Sequence, residues 1–159
     1  MLRFIEKPGP NEITSNTVNA GVYVLEPSVL SHVPKGEPYS FERGLFPALL
    51  ESKERVLSFI SDKYWMDIGS PQKYLRVHHD ILNGQFASKR VPASALDTSA
   101  LPRDVSVDGK SIIDRDVSIR SGVLIRNSVI GRNCKIEEGV QVIDSVIWPG
   151  STLDADSRV

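Results

Sequence analysis

Three stretches of the chain align under one another: Ser111-Ile112-Ile113-Asp114-Arg115-Asp116, Ser128-Val129-Ile130-Gly131-Arg132-Asn133 and Ser145-Val146-Ile147-Trp148-Pro149-Gly150, each 17 residues after the one before. Outward from these lines the apolar positions continue as Leu101, Val107, Ile113, Ile119, Ile125, Ile130, Ile136, Val142, Ile147, Leu153 and Val159, in steps of six or five residues. Nine of the eleven are β-branched and the other two are Leu. An amphipathic helix repeats near ~3.6 residues and a half-buried strand near ~2, so neither produces this series. An antiparallel sandwich would show alternation by two within strands spaced roughly 8–12 residues apart. A six-residue step is the mark of a parallel β-helix, in which short strands form the faces of a prism and inward residues stack one coil on the next. β-Branched side chains suit such ladders because their rotamers are restricted and pack well on a pleated surface. Gly122 and Gly139 share one offset in the repeat and are expected at tight corners. Cys134 falls beside the inward series and reads as a wall residue rather than a nucleophile.

The rest of the composition is that of an ordinary globular chain. It has 159 residues, 40% of them hydrophobic and 25% charged, which is enough for a real core. Nineteen basic against twenty acidic residues leave a net charge of -1, which argues against nucleic acid as a partner. No apolar run approaches the ~20 residues of a membrane helix, and the mixed opening Met1-Leu2-Arg3-Phe4-Ile5-Glu6 is not a signal peptide. One cysteine, Cys134, excludes an intrachain disulfide and an all-cysteine metal site. A soluble, cytoplasmic protein without a membrane partner is expected.

Residue usage changes part-way. All five Phe, both Met and all four Tyr lie at or before Phe86, and the only later aromatic is Trp148. This divides the chain into a first domain over 1–86, a polar, Pro-bearing connector over 87–100 and the repeat over 101–159. The first domain reads as α/β, with strands over 2–6, 18–25, 55–61 and 64–68. A helical turn follows Pro27. A helix over 41–52 is capped by Ser40, and another, from Pro71 to Asn83-Gly84, is capped by Ser70. Tyr74, Leu75, His78, Ile81 and Leu82 form the inner stripe of that second helix.

Four clusters there could carry chemistry. Glu6-Lys7-Pro8 sets an acid and a base at a strand end, where α/β sheets hold ligands and a Lys can meet a phosphate as a point charge. Asn19-Ala20-Gly21 offers a donor–acceptor side chain beside two tiny residues, suited to close approach of a ligand or to a plain turn. Ser40-Phe41-Glu42-Arg43 is most simply a helix start with an acid in its first turn. In Trp65-Met66-Asp67-Ile68-Gly69, the Asp67 carboxylate between apolar neighbours needs a partner, either a hard cation such as Mg²⁺ or the hydrogen bonds of a turn or cap. No His or Cys spacing suggests zinc, and no Gly-x-Ser-x-Gly elbow, Walker loop or Gly-x-Gly-x-x-Gly is present.

Taken in order, Phe4-Ile5-Glu6-Lys7-Pro8, Asn19-Ala20-Gly21-Val22-Tyr23-Val24-Leu25, Ser40-Phe41-Glu42-Arg43 with Phe46-Pro47, and Trp65-Met66-Asp67-Ile68-Gly69-Ser70-Pro71 resemble the sugar-1-phosphate nucleotidylyltransferases, and among them the mannose-1-phosphate guanylyltransferases. The resemblance extends over essentially the whole chain, because many of these enzymes carry a C-terminal left-handed parallel β-helix. It implies the C-terminal part of a Rossmann-like nucleotidyltransferase domain followed by that β-helix. It implies a reaction in which a sugar 1-phosphate, mannose 1-phosphate being favoured, and a nucleoside triphosphate give a nucleotide-sugar such as GDP-mannose and pyrophosphate. By the same resemblance Glu6 holds sugar hydroxyls, Lys7 the sugar phosphate, Asn19 and Gly21 line the sugar pocket, and Asp67 binds Mg²⁺. None of these residues is expected to be a covalent catalyst.

The Gly-rich nucleotide loop of that family and its second metal-binding Asp have no counterpart here. The chain is therefore expected to be the sugar-binding part alone, inactive by itself, and to form a homo-oligomer or associate with a complementary chain. Two other readings stand beside this one: the corresponding part of a glucose-1-phosphate thymidylyl-, uridylyl- or adenylyltransferase, and a non-catalytic regulatory or assembly subunit that docks partners through its β-helix. An acyltransferase is disfavoured because no His follows His79.

Overall fold

The computed structural model describes residues 4–5, 7–13, 15–85, 94, 99 and 101–159. It forms two compact units, Met1–Trp65 and Met66–Val159. The change in residue usage at Phe86 thus does not coincide with the division between these units, since the helix at Pro71 shares a unit with the repeat. Glu6 and nearly all of the connector over 87–100 lie outside the described residues.

Among the described residues of the second unit nine short strands follow one another: β1 (Ser106–Val107), β2 (Ile112–Ile113), β3 (Ser118–Ile119), β4 (Leu124–Arg126), β5 (Val129–Ile130), β6 (Lys135–Ile136), β7 (Gln141–Ile143), β8 (Val146–Ile147) and β9 (Thr152–Leu153). They make three parallel sheets, β1-β4-β7, β2-β5-β8 and β3-β6-β9. The chain visits the sheets in turn and returns to each after three strands. Ile113 pairs with Ile130 and Ile130 with Ile147, so equivalent positions of the aligned lines sit side by side. Ile119 pairs with Ile136, and Ile125 with Val142. This is the inward series of the sequence, and Ile113, Ile125, Ile130, Ile136 and Val142 are all essentially fully buried. Burial of each such side chain is worth about 1.5–3 kcal/mol.

A second inward set lies two residues before the first. Val123, Cys134 and Val140 are buried in the same core, and Val105 and Val117 pack against it. Alternation along a strand aims residues i and i−2 the same way, so the corner residue before each strand also points inward. In the β2-β5-β8 sheet that position is serine. Ser128 N–H donates to Ser111 Oγ at 3.1 Å, and Ser145 N–H donates to Ser128 Oγ at 3.0 Å. The hydroxyls of Ser128 and Ser145 donate in turn to the carbonyls of Arg126 and Ile143, both at 2.7 Å. A buried ladder of side chains thereby satisfies backbone groups that the short strands leave over.

The corners turn on residues with positive φ. Gly122 and Gly139 have φ of 69° and 70°, as their shared offset predicts, and a side chain on Gly139 would collide with the Asp156 carboxylate. The equivalent residue one repeat on is Asp156, at φ 62°. Asp116 and Asn133 occupy the next corner at φ 59°, followed by Gly150 at 76°, and Asn127 and Asp144 the third at 47° and 51°. Asn and Asp are the non-glycine residues that best tolerate this region. Asp108 closes the equivalent of this third corner in the first repeat: its Oδ1 accepts from the backbone N–H of Lys110 (3.2 Å) and Ser111 (2.8 Å), and its Oδ2 from that of Asn127 (2.8 Å).

Helix α1 (Phe46–Glu51) continues a π-helical segment, Phe41–Leu45, in the first unit. Pro47 lacks an N–H and its ring crowds the preceding turn, which accounts for the widened turns before it. Leu45, Phe46 and Leu49 are buried, and Phe4, Tyr23, Leu25, Val29, Val33, Tyr39, Phe41 and Val56 pack against them. The helical turn expected after Pro27 is a 3₁₀ segment, Pro27–His32.

Among the described residues the strands expected over 18–25, 55–61 and 64–68 do not form. No described residue before Ser106 pairs in a sheet, and the segment over 2–6 is only partly described. The α/β character of the chain therefore rests on parallel sheets that lie wholly in the repeat. The alternation read in Val22-Tyr23-Val24-Leu25 is nonetheless present: Tyr23 and Leu25 face the core, while Val22 and Val24 are 82% and 99% exposed. A strand needs a neighbour to take its backbone groups along its whole length, and among the described residues this extended segment is assigned to no sheet.

Helix α2 (Pro71–Leu82) is capped as expected, Ser70 Oγ accepting from Lys73 N–H at 3.3 Å. Tyr74, on its inner stripe, meets Trp148 of the repeat with ring centroids 6.3 Å apart. Among the described residues no helix is long and apolar enough to cross a membrane.

The Asp108 corner gives a pH test. Burial pushes its carboxyl up, but hydrogen bonds from Ser111, Asn127 and Lys110 outweigh that and hold it below its ordinary value. The unfolded side chain titrates near ~3.9. Stabilisation by Asp108 is therefore complete above that value and is lost as pH falls through the lower folded one. Asp108→Asn should lower the thermal unfolding midpoint at neutral pH, and the gap from the parent should close below about pH 4. A gap that is constant down to about pH 2 would contradict this assignment.

Candidate functional site

Asn19, Gly21, Tyr23 and the start of the Phe41 helical segment meet in one hydrogen-bonded group. Asn19 closes a local turn, its Oδ1 accepting from Gly21 N–H at 3.1 Å. Gly21 has φ of 71° and open space around its Cα, so the turn selects glycine for its backbone and leaves room in front of it. Asn19 Nδ2 donates to Tyr23 Oη at 2.6 Å, and Tyr23 Oη donates to Glu42 Oε1 at 2.8 Å. Ser40 Oγ donates to Glu42 Oε2 at 3.1 Å while accepting from Arg43 N–H at 3.1 Å as the cap of the helix. Hydrogen bonds from the Glu42 backbone, Tyr23 and Ser40, in that order, hold the Glu42 carboxyl below its ordinary range. The Tyr23 ring is fixed from behind, 4.8 Å from Phe46 and 6.4 Å from Phe41 between centroids.

Two of the four sequence clusters are therefore one structure. Reading the Ser40 stretch as a cap with an acid in the first turn is correct as far as it goes. It misses that Glu42 and Tyr23 join the cap to Asn19. The available signal was a tyrosine inside an apolar run: a half-buried phenol needs a polar partner at its tip.

Lys7 takes no part in that group. It is exposed, with φ of 52°, immediately before Pro8. A left-handed lysine is uncommon enough to mark the site of a constraint. Glu6, the other acid of this cluster, lies outside the described residues.

Asp67 belongs to the other compact unit. Its expected burial between apolar neighbours is not realised: the side chain is 63% exposed, and Ile68 is exposed as well. Its partner is Lys73, whose Nζ lies 3.5 Å from Oδ2 across the first turn of α2. A Cβ at Gly69 would make ordinary van der Waals contact with the Asp67 carboxylate. The chemistry on offer is a single accessible carboxylate at a helix start. Among the described residues no group of three His, Cys, Asp or Glu side chains is arranged to hold a metal. One carboxylate fits Mg²⁺ only in the common manner of that ion, which takes one or two protein oxygens and completes its shell with water and phosphate.

The family model described as nucleotidyl transferase matches residues 1–84, just over half of the chain. The chain belongs to the nucleotidyl transferase family. The match takes in Lys7, Asn19, Gly21, Glu42 and Asp67, so every candidate residue of this nucleotidyl transferase chain lies within it. Over its full length the chain is 29% identical to a UTP–glucose-1-phosphate uridylyltransferase of Synechocystis, covering 43% of that protein. It is 45% identical over 73 residues to a mannose-1-phosphate guanyltransferase of Schizosaccharomyces pombe, across 46% of this chain and 19% of that one. It is 33% identical over 126 residues to a probable mannose-1-phosphate guanylyltransferase of Arabidopsis thaliana, across 77% of this chain and 30% of that one. The nucleotidyl transferase chain thus spans less than half the length of each of these relatives.

An exposed ion pair contributes little, about 0–1 kcal/mol. Lys73→Gln should therefore change the urea unfolding free energy by less than about 1 kcal/mol, whereas Ser70→Ala, which removes the cap of α2, should cost about 1 kcal/mol or more. A larger loss from the lysine change would mean that the Asp67 pair is structural.

Proposed function

We propose that the chain supplies the sugar-phosphate part of a sugar-1-phosphate nucleotidylyltransferase. On this reading residues 1–86 hold the sugar phosphate, 87–100 connect, and 101–159 form a left-handed parallel β-helix. The return of the chain to each parallel sheet after every third strand supports the last assignment. Mannose 1-phosphate with GTP, giving GDP-mannose and pyrophosphate, is the favoured pair, on the names of the guanylyltransferase relatives. The glucose 1-phosphate branch is the second reading, because the relative matched over the full chain is named a glucose-1-phosphate uridylyltransferase.

The observation that carries the reading is the joining of the Asn19-Ala20-Gly21 turn to the Ser40-Glu42 helix start through Tyr23. A fixed amide beside open backbone at Gly21 is suited to ring hydroxyls of a sugar. Lys7 would meet the sugar-bound phosphate as a point charge, and Glu6 would take further hydroxyls. In the reaction a phosphate oxygen of the sugar 1-phosphate attacks the α-phosphorus of the nucleotide in line. The bond from that phosphorus to the bridging oxygen breaks, and pyrophosphate leaves. Orientation of the two substrates and neutralisation of their charge supply the rate. Asp67 would hold Mg²⁺, which would neutralise phosphate oxygens when bound. The nucleotide would be held by a portion outside this chain, either in a complementary chain or in a larger assembly. The exposed apolar faces of Val22, Val24 and Phe59 fit association with such a partner. A cytoplasmic setting fits a chain whose one cysteine is buried and free.

In an active assembly containing this chain, Lys7→Ala should raise the KM for sugar 1-phosphate roughly ten- to a hundredfold, the loss of a charged hydrogen bond, with the KM for nucleotide nearly unchanged. Steady-state kinetics with each substrate varied in turn read this, and equal damage to both constants would misplace Lys7. Running the parent with mannose 1-phosphate and with glucose 1-phosphate separates the two branches. Asp67→Asn should lower kcat far more than it lowers the thermal unfolding midpoint. Turnover equal to the parent at saturating Mg²⁺ would remove Asp67 from the site.

A further inference from the structure

An asparagine amide has two ends of nearly equal shape and opposite chemistry, and a sugar pocket needs one particular orientation. Here the choice is set two residues away. Both Glu42 oxygens are engaged, Oε1 by Tyr23 and Oε2 by Ser40. The same hydrogen bonds favour the ionised carboxylate, which can accept but not donate. Tyr23 must then spend its one proton on Glu42, so its oxygen is left to accept from the amide nitrogen of Asn19. That turns Asn19 Oδ1 toward Gly21 N–H, where it is found. The Tyr23 ring is held against Phe46 and Phe41, so the phenol cannot swing to follow a flipped amide. Polarity therefore runs one way, from carboxylate through phenol to amide.

We infer that Glu42 is a positioning residue of the sugar site: through Tyr23 it fixes which end of the Asn19 amide faces a bound hexose phosphate. The exposed side of Asn19 then presents one remaining Nδ2 hydrogen and the second Oδ1 lone pair in known places, a donor and an acceptor matched to neighbouring ring hydroxyls. Glu42 itself touches no substrate in this scheme. The inference rests on the assignment of Asn19 to the sugar pocket.

Glu42→Gln is the informative variant, because it keeps the shape and the packing but can also donate, which removes the one-way polarity. Tyr23→Phe deletes only the hydroxyl and serves if the glutamine variant folds poorly. Titration calorimetry of the chain with mannose 1-phosphate should show about tenfold weaker binding for either variant, at an unchanged thermal unfolding midpoint. Asn19→Ala should weaken binding to a similar degree, and Glu42→Gln should add nothing in that background. In the ligand-free protein the Asn19 side-chain amide resonances should shift or broaden in Glu42→Gln. If those resonances stay where they are, or if the two losses simply add, Glu42 does not act through Asn19 and the inference falls. A parent that does not bind mannose 1-phosphate, or an Asn19→Ala variant that binds it normally, overturns the sugar-pocket assignment and the inference with it. The amide resonances then still report whether the polarity is coupled.

Discussion

Stacking of like on like at a near-constant interval governs the second half of the chain. Parallel pairing sets Ile113 beside Ile130 and Ile130 beside Ile147, and the other two sheets repeat this with Ile119 beside Ile136 and Ile125 beside Val142. A branched aliphatic chain in such a ladder packs mainly on its own kind, so one misfit would be felt in the repeats on either side. The corners inherit the same demand. If strands are to stay in register, every repeat must turn at equivalent points, and from Asp116 to Asp156 the corners do so on Gly, Asn or Asp with positive φ. Where the first repeat has one residue more, with Ser106 opposite Leu124 at an offset of 18, Asp108 spans the enlarged corner with three backbone donors.

The first unit is built on a different principle. A small aromatic and aliphatic core around Leu45, Phe46 and Leu49 holds extended chain and helical turns with no described residue in a sheet. Its polar counterpart is the chain of hydrogen bonds from Ser40 and Glu42 to Asn19. The two are coupled through one residue, Tyr23, whose ring belongs to the core and whose hydroxyl belongs to the network. That is an economical way to orient a side chain at an exposed turn, because the rigidity comes from packing already needed for folding.

Placement in the nucleotidyl transferase family gives these features a common setting. The family match spans the first unit and all of α2, and so crosses the division between the two compact units. Lys7, Asn19, Gly21 and Glu42 lie on one side of that division, and Asp67 on the other. The match ends at residue 84, ahead of the repeat, whose residue choice follows from the geometry of stacking.

The repeat was legible in the sequence because a periodic constraint acts on residue type at every period. The inward Ile and Val positions from Ile113 to Ile147, the glycine corners at 122 and 139 and the caps at Ser40 and Ser70 each follow from local stereochemistry and are present as read, while Val159, the last of the inward series, is exposed. The second inward set was not read, because Ser, Val and Cys at those corners carry no common hydropathy. Strands over 18–25, 55–61 and 64–68 were not decided locally, since extended backbone becomes a strand only when another segment takes its hydrogen bonds. Asp67 shows the same limit from the other side: its apolar neighbours implied burial, while the turn into α2 carried it out to solvent beside Lys73. Glu42 and Tyr23 stand 19 residues apart, and their contact depends on how the intervening chain returns over the core. No spacing rule encodes such a return. Only the tertiary structure settles which of two distant polar groups becomes the other's partner, because hydrogen bonds are set by distance in space and not along the chain.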